Sequence, residues 1–249
     1  MRDRRSGFLA VNKPAGMTSH DVVASVRRRF GYRKAGHAGT LDPMAEGVLV
    51  LGVGREATRR LSTIMGEDKE YRTVMELGVT TDSQDAEGKV LERRPWDGVT
   101  REAVLEALER FKGAQSQVPP MHSALKHRGQ PLYRLARRGV VIPREARPIF
   151  IHELELCAFD GPEVDLHIVC SKGMYVRTLC ADVGDALGCG AHMKYLVRSR
   201  VGKFLLKDAL PLDDLLRMTH EEFGKMLLPV EDVAHPLGCG AKDESYQNS

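Results

Sequence analysis

Between positions 149 and 170 the chain alternates apolar and polar residues twice, from Ile149 to Phe159 and from Val164 to Cys170, around the turn Asp160-Gly161-Pro162-Glu163. Two period-two runs joined by turn-forming residues predict a long antiparallel hairpin with one face buried. Further strands are expected at Gly7 to Asn12, Val48 to Val53 and Tyr71 to Gly78, with Lys89 to Arg93 as the returning strand of a hairpin through Asp82-Ser83-Gln84-Asp85-Ala86-Glu87-Gly88. Helical periodicity and end signals place helices after Thr18-Ser19, with Val22, Val23, Val26 and Phe30 on one face, and at Glu56 to Met65, Thr100 to Phe111, Pro131 to Arg138 and Met174 to Leu187. Two short helices follow from Pro211 and Thr219. Strands that arrive mostly as hairpins between helices predict an α+β fold, with a central mixed, mostly antiparallel sheet and flanking helices.

The length of 249 residues suits one large domain, and 42% hydrophobic residues supply a core for it. The longest uncharged apolar run, Gly47 to Gly54, has eight residues, whereas a membrane span needs about 20. No apolar segment follows the basic start Met1-Arg2-Asp3-Arg4-Arg5 closely enough to form a signal peptide, so a soluble, cytoplasmic protein is expected, with no membrane association. Five cysteines (Cys157, Cys170, Cys180, Cys189 and Cys239) without a Cys-x-x-Cys pair argue against a disulfide framework or zinc knuckle and for buried free thiols. The pentamer Leu-Gly-Cys-Gly-Ala occurs at 187 to 191 and 237 to 241, too short to mean a structural repeat.

The net charge of +3 hides an asymmetry: residues 208 to 249 carry nine acids against three bases, so the positive charge lies upstream. It gathers in Arg27 to Lys34, Lys126 to Arg147 and Lys194 to Lys207, each with an aromatic among the bases: Phe30 and Tyr32, Tyr133, then Tyr195 and Phe204. Bases that displace counterions and rings that stack suit a nucleic acid with exposed bases; solvated helix faces are the plainer reading of any one stripe. No Walker loop, dinucleotide fingerprint, H-E-x-x-H or G-x-S-x-G is present, and nothing supports a metal or a cofactor. The unusual local feature is Gly36-His37-Ala38-Gly39-Thr40-Leu41-Asp42-Pro43, a glycine-rich loop that can present one carboxylate rigidly. Taken alone, Asp42 also fits an N-cap or Asx turn with Pro43 at the first helical position.

Lys13-Pro14-Ala15-Gly16-Met17-Thr18-Ser19 and Ala35 through Leu49 closely resemble the TruB family of tRNA pseudouridine synthases. The resemblance continues in order through Asp68 to Arg72, Thr81 to Gly88, Pro120 to Lys126, Pro143 to Arg147, Cys170 to Thr178 and Leu187 to His192, and covers roughly residues 7 to 232. It implies the pseudouridine synthase fold with an active-site cleft across the sheet, no cofactor, and isomerisation of the T-loop uridine of tRNA (position 55) to pseudouridine. By the same resemblance Asp42 is the catalytic aspartate, Tyr71 the active-site tyrosine beside the flipped base, and Arg177 the arginine that pairs with the aspartate. His37 resembles the histidine that enters the T-loop, Tyr175 and Leu196 match positions lining the uracil pocket, and Lys13 falls in a Lys-Pro motif near the site, as supporting architecture. Out of context Tyr71 reads as an ordinary strand tyrosine, Arg177 as a helix surface charge and Leu196 as core.

His122 stands where the family often has Tyr, and Met174 where it often has Thr. Many bacterial members continue into a small RNA-binding PUA domain, whereas here the similarity ends near Asp232. The expectation is one catalytic domain, 1–232, with a polar tail, 233–249, and no PUA domain. The expected partner is the T-arm of tRNA, with no protein partner, for a monomer. Two alternatives remain: an RNA-binding or RNA-folding module without turnover, and a guide-dependent synthase acting on ribosomal RNA.

Overall fold

The computed structural model describes residues 5–127, 129–136 and 138–233. Cys239, the second pentamer, the polar tail and the arginines at 128 and 137 of the middle basic stripe lie outside the described residues. In chain order the elements are β1 (Gly7–Lys13), α1 (Ser19–Phe30), β2 (Ala35–His37), β3 (Glu46–Val53), α2 (Arg55–Arg59), α3 (Leu61–Met65), β4 (Lys69–Leu77), β5 (Val79–Thr81) and β6 (Val90–Arg93). They continue with α4 (Arg101–Glu109), β7 (Gly113–Gln117), β8 (Lys126–His127), β9 (Gln130–Pro131), α5 (Leu132–Ala136), β10 (Arg147–Asp160), β11 (Glu163–Cys170) and α6 (Val176–Ala186). The last are β12 (Ala191–Val201), β13 (Phe204–Leu205), β14 (Leu210–Pro211), α7 (Leu212–Arg217) and α8 (His220–Met226).

The hairpin expected around Asp160 forms as β10 and β11 and lies towards one end of a ten-stranded sheet. The sheet path runs β14-β1-β3-β12-β4-β11-β10-β7, with β2 added to β3 and β13 to β12. Only β1 with β14 and β3 with β12 pair in parallel, so the sheet is mixed and mostly antiparallel, as expected. Alternation sends successive side chains to opposite faces. In β3, Leu49, Leu51 and Val53 join the larger core under α1, α4, α6, α7 and α8, while Val48 and Val50 pack with Phe8, Ala57 and Ile64 in a smaller one.

Local chemistry explains the helix ends. Thr18 caps α1 with a capping box: its hydroxyl accepts from Asp21 N–H, and the Asp21 carboxylate accepts from Thr18 N–H. Gly31, at φ 64°, ends the helix in the left-handed conformation that favours glycine. The single helix expected at Glu56 to Met65 is broken at Arg60 into α2 and α3.

Several short strands, β2 and β5 among them, escape the sequence pattern, and so do the longer β7 and β12. Strand β7 is Gly-Ala-Gln-Ser-Gln, poor in strand-forming residues, and exists because it pairs with β10 at the sheet edge. Strand β12 is more consequential: it sits between β3 and β4, in the segment read from sequence as a basic stripe. Register shifts at Met193/Tyr195 and Arg198/Arg200 break its alternation, so a central strand does not display a two-residue period.

The stripe reading changes accordingly. Arg198 is fully buried; Lys194 pairs with Glu76 and Glu163, and Arg200 with Glu70, acids that arrive from β4 and β11. Two of the aromatics do not serve as stacking platforms either: Phe30 is buried and stacks on Phe223 of α8, with centroids 3.8 Å apart, and Phe204 is core, whereas Tyr195 is exposed. Cys170, Cys180 and Cys189 are buried free thiols, but Cys157 is exposed on β10. Among the described residues no helix is long and apolar enough to cross a membrane.

Two helical glycines give a stability test with opposite signs. A Cβ on Gly184 of α6 would meet the backbone of Gly190 and Ala191, where the helix lies against the start of β12, whereas one on Gly224 of α8 meets nothing within 4 Å. Gly184→Ala should therefore destabilise by about 1–3 kcal/mol despite its gain in helix propensity. Gly224→Ala should stabilise by roughly 0.5–1 kcal/mol. Urea midpoints at unchanged m check both.

Candidate active site

The loop after β2 is tied down on two sides. Ser19, buried at the start of α1, accepts from Leu41 N–H at 2.8 Å and donates its hydroxyl proton to the Leu41 carbonyl at 2.9 Å. Below the loop, Lys13 Nζ donates to the carbonyls of Pro14 (2.7 Å), Met17 (2.7 Å) and Pro43 (3.1 Å). An ammonium has three protons, and these three acceptors match them. Lys13 is wholly buried, and burial pushes its pKa down to about 8 although Glu46 and Asp42 pull it up. It clamps the loop to the end of β1. Gly39, at φ 97°, supplies the left-handed turn that carries the chain from His37 to Asp42.

Held in this way, Asp42 meets Arg177, in the first turn of α6. Arg177 Nε lies 2.9 Å from Asp42 Oδ2, and Nη2 donates to Oδ1 at 3.3 Å. The rest of the guanidinium is also engaged: Nη1 donates to Ser83 O at 2.9 Å and lies 3.3 Å from Asp85 Oδ2, and Nη2 donates to His122 O at 2.7 Å. Asp85 is buried, and its Oδ1 accepts from the Ser83 hydroxyl and the Glu87 N–H. One cation thus lies between two carboxylates. Burial raises the Asp42 carboxyl above its ordinary pKa; Arg177 opposes that shift and the charge of Asp85 adds to it.

The other expected residues lie on β2, β4 and β12 and at the start of α6. Tyr71 on β4 is buried, and loss of hydration pushes its phenol up to about 12 against the pull of Arg198, the residue directly across the ladder on β12. Leu196 lies two residues from Arg198 on the same face, opposite Thr73. Tyr175 caps α6 and is fixed to the edge strand by a reciprocal amide pair: its N–H donates to Gln117 Oε1 at 2.8 Å, and Gln117 Nε2 donates to its carbonyl at 3.1 Å. His37 ends β2 with a buried, unpartnered Nδ1, and burial holds its imidazole below the usual pKa, so it is neutral at pH 7. The charge of Asp42 is felt at Lys13, Tyr71, Tyr175 and Arg198, which marks one electrostatic neighbourhood.

Asp85 and Arg198 belong to this neighbourhood and were not singled out from sequence. Asp85 sits in a segment that reads as plain turn chemistry, and Arg198 in one that reads as a basic stripe. No local period marks either, because their partners lie on distant segments.

The chain that carries this pair, a half-buried Asp42 against a buried Arg177, is matched by known proteins along most of its length. The profile described as TruB family pseudouridylate synthase (N terminal domain) matches residues 27–176, and that described as tRNA pseudouridylate synthase B C-terminal domain matches 177–235. The fold is that of the pseudouridylate synthase class. Both matched segments contribute strands to the same sheet, with β12 of the second between β3 and β4 of the first. Similar proteins include the tRNA pseudouridine synthase B of Geotalea uraniireducens (strain Rf4), 53% identical over 85% of this chain and 68% of that protein. Another is that of Desulfotalea psychrophila (strain LSv54 / DSM 12343), 45% identical over 95% of this chain and 98% of that protein. The chain belongs to the TruB family of pseudouridylate synthases.

Among solved structures, a chain of a Cbf5-Nop10-Gar1 complex superposes with TM-score 0.70 at 30% identity, covering 91% of this chain and 61% of that one. A chain from an H/ACA RNP bound to a substrate RNA containing 2'-deoxyuridine gives 0.67 at 26% identity, covering 91% and 60%. This chain therefore spans about three-fifths of those solved chains.

Asp85→Asn keeps the size of the side chain and removes its charge. Losing one side of the Arg177 clamp should slow single-turnover catalysis roughly 10- to 100-fold at pH 7, since small misplacements at a reacting centre carry penalties of about that size. An ionised Asp42 is present above its pKa and lost as pH falls through it, and the charge of Asp85 raises that pKa. The acid limb of the pH–rate profile should therefore move to lower pH in Asp85→Asn, and a limb that stays in place would contradict this coupling.

Proposed function

We propose that this protein isomerises the T-loop uridine of tRNA to pseudouridine, with Asp42 as the catalytic carboxylate. The observation that carries the reading is the Asp42–Arg177 pair, a loop carboxylate bonded at 2.9 Å by a buried guanidinium, within a chain whose relatives are named tRNA pseudouridine synthase B. The isomerisation is balanced within the nucleotide: the N1–C1′ and C5–H bonds are replaced by C5–C1′ and N1–H. It therefore consumes no co-substrate and changes no oxidation state.

A carboxylate at this position serves three routes: addition to C6 of uracil, capture of C1′ of the ribose, or proton abstraction in an elimination. Each needs it ionised and aimed, and the Arg177 guanidinium favours both. The target base lies in a loop and must be flipped out, which costs a few kcal/mol. In this reading Tyr71 packs against the flipped uracil, Tyr175 and Leu196 line its pocket, and neutral His37 enters the space it leaves. Tyr71 meets the substrate as a phenol, so a role in removing the C5 proton requires its pKa to fall once the base is bound.

Residues 1–232 act as one catalytic unit in this reading, as a monomer in the cytoplasm without a protein partner. The guide-dependent alternative has less behind it: the solved ribonucleoprotein chains share 26–30% identity with this one, against 45–53% for the tRNA pseudouridine synthase B relatives.

The test is tritium release from 5-tritiated uridine in an unmodified tRNA transcript, without added metal or cofactor, with the product mapped by reverse transcription. Release at the T-loop uridine by the wild type, abolished in Asp42→Asn, is the expected result. RNA binding without release from the wild type would replace the enzyme by a binding module.

Surface charge yields a second prediction. Gly54 N–H donates to Lys34 O at 2.9 Å, so the exposed Arg27, Arg28, Arg33 and Lys34 adjoin the exposed Arg55, Arg59 and Arg60 of the α2 segment. This surface suits the phosphate backbone. Charge reversal at Arg33 and Lys34 together should weaken tRNA binding about tenfold or more at low salt, and flatten the log–log salt slope by roughly 0.7–0.9 for each phosphate that is no longer neutralised. Lys194→Gln should change affinity less than about threefold, because Lys194 already pairs with Glu76 and Glu163 and surface pairs of this kind contribute little.

A further inference from the structure

Arg198 is the largest fully buried side chain among the described residues, and the chemistry above gives it no task. It lies on β12 at a point where three other parts of the site converge. Its Nε donates to the Val48 carbonyl on β3 at 2.7 Å. Its Nη2 donates to Gly39 O at 3.1 Å, and Nη1 reaches Thr40 O at 3.5 Å, both in the loop that ends at Asp42. Across the β12–β4 ladder it is the direct partner of Tyr71, and its charge opposes the burial that raises the Tyr71 phenol.

The backbone is arranged to admit this side chain. Arg198 is in parallel register with Gly47, and a Cβ there would collide with the Arg198 backbone, so glycine permits the close approach of β3 and β12. A Cβ on Gly39 would stand 3.6 Å from the guanidinium. Immediately after Arg198 the ladder shifts register. Bulges of this kind re-aim a side chain and are common beside active sites.

Burying a guanidinium among carbonyls is expensive unless its donors are satisfied, and a nonpolar side chain of similar volume would fill the same space at lower desolvation cost. A cation here offers something an apolar residue does not: directed bonds to two loop carbonyls from the position across the ladder from Tyr71. Asp42 follows Thr40 by two residues, so whatever fixes the Gly39–Thr40 backbone relative to Tyr71 also fixes the carboxylate relative to the ring.

We propose that Arg198 is a positioning residue for the isomerisation, bracing the Gly39–Thr40 backbone from its place directly across the ladder from Tyr71, so that Tyr71 and Asp42 keep one mutual geometry. The proposal rests on the catalytic reading given above. Arg198 touches no reacting atom in it; it acts through the loop.

The test measures single-turnover tritium release, affinity for a T-arm stem-loop and the urea midpoint for the wild type, Arg198→Lys, Arg198→Gln, Tyr71→Phe and Arg198→Lys/Tyr71→Phe. Lysine keeps the charge and loses the fork that bonds the β3 and loop carbonyls together. The expected result is a folded Arg198→Lys protein whose single-turnover rate falls roughly 100-fold while RNA affinity changes less than about threefold. In the Tyr71→Phe background the same change should cost less than about threefold more, because the hydroxyl whose place relative to Asp42 it preserves is already gone. A rate within threefold of wild type in Arg198→Lys overturns the proposal. So do losses that multiply independently in the double variant, a loss that tracks weakened RNA binding, or the failure of both Arg198→Lys and Arg198→Gln to fold, which would make Arg198 a folding residue. An inactive wild type would instead remove the catalytic reading itself, so the two failures are distinguishable.

Discussion

The ion pair between Arg177 and Asp42 is the interaction on which the rest of the site depends. A guanidinium that is 4% exposed has left water, and that loss is offset only if every donor finds a partner. Here the partners come from the Asp42 loop, the Ser83–Asp85 turn and the carbonyl of His122. Helix α6 must therefore begin where it does. The reciprocal pair between Gln117 and Tyr175 holds its first residue to the sheet edge, and the close approach at Gly184 seats its other end on β12. Removing either carboxylate leaves a buried cation partly unpaired, which is why the second aspartate matters as much to the geometry as the first does to the chemistry.

Three further bases, Lys13, Lys69 and Arg198, are buried with their hydrogen bonds directed at main-chain carbonyls. Loops lack the ladder that satisfies carbonyls in strands, and buried carbonyls need donors. Lys13 beneath Pro43 and Arg198 against Gly39 supply them, which ties a partly buried glycine-rich loop to the sheet. The cations brace the loop, and the loop aims the carboxylate. This also explains why counting bases along the chain overstates the surface field: in the stripe from Lys194 to Lys207, Arg198 is core, while Lys194 and Arg200 meet acids from neighbouring strands.

Much of the fold is legible from local signals. The β10–β11 hairpin, the capped helix α1 and the strands β1, β3 and β4 follow from period, turn residues and caps, all of which act within a few residues. What is illegible depends on partners far along the chain. Strand β12 loses its alternation at two bulges, yet β3 and β4 enclose it; β7 has no strand-forming composition, yet β10 holds it. The same division runs through the site. Resemblance marks Asp42, Tyr71 and Arg177, but Asp85 looks like a turn residue and Arg198 like surface charge, since burial and pairing are not properties of a residue's neighbours in sequence.

By itself, then, the sequence determined many of the local elements, the α+β class and the loop that carries the carboxylate, because capping, turn chemistry and periodicity act over short stretches, while its motifs marked the family by resemblance. Only the tertiary structure decided which bases face water and which brace the interior, which carboxylates share Arg177, and that Tyr71 lies directly across from Arg198. Those outcomes turn on desolvation and on hydrogen bonds between segments tens of residues apart, and such terms take their values only after the sheet has closed around them.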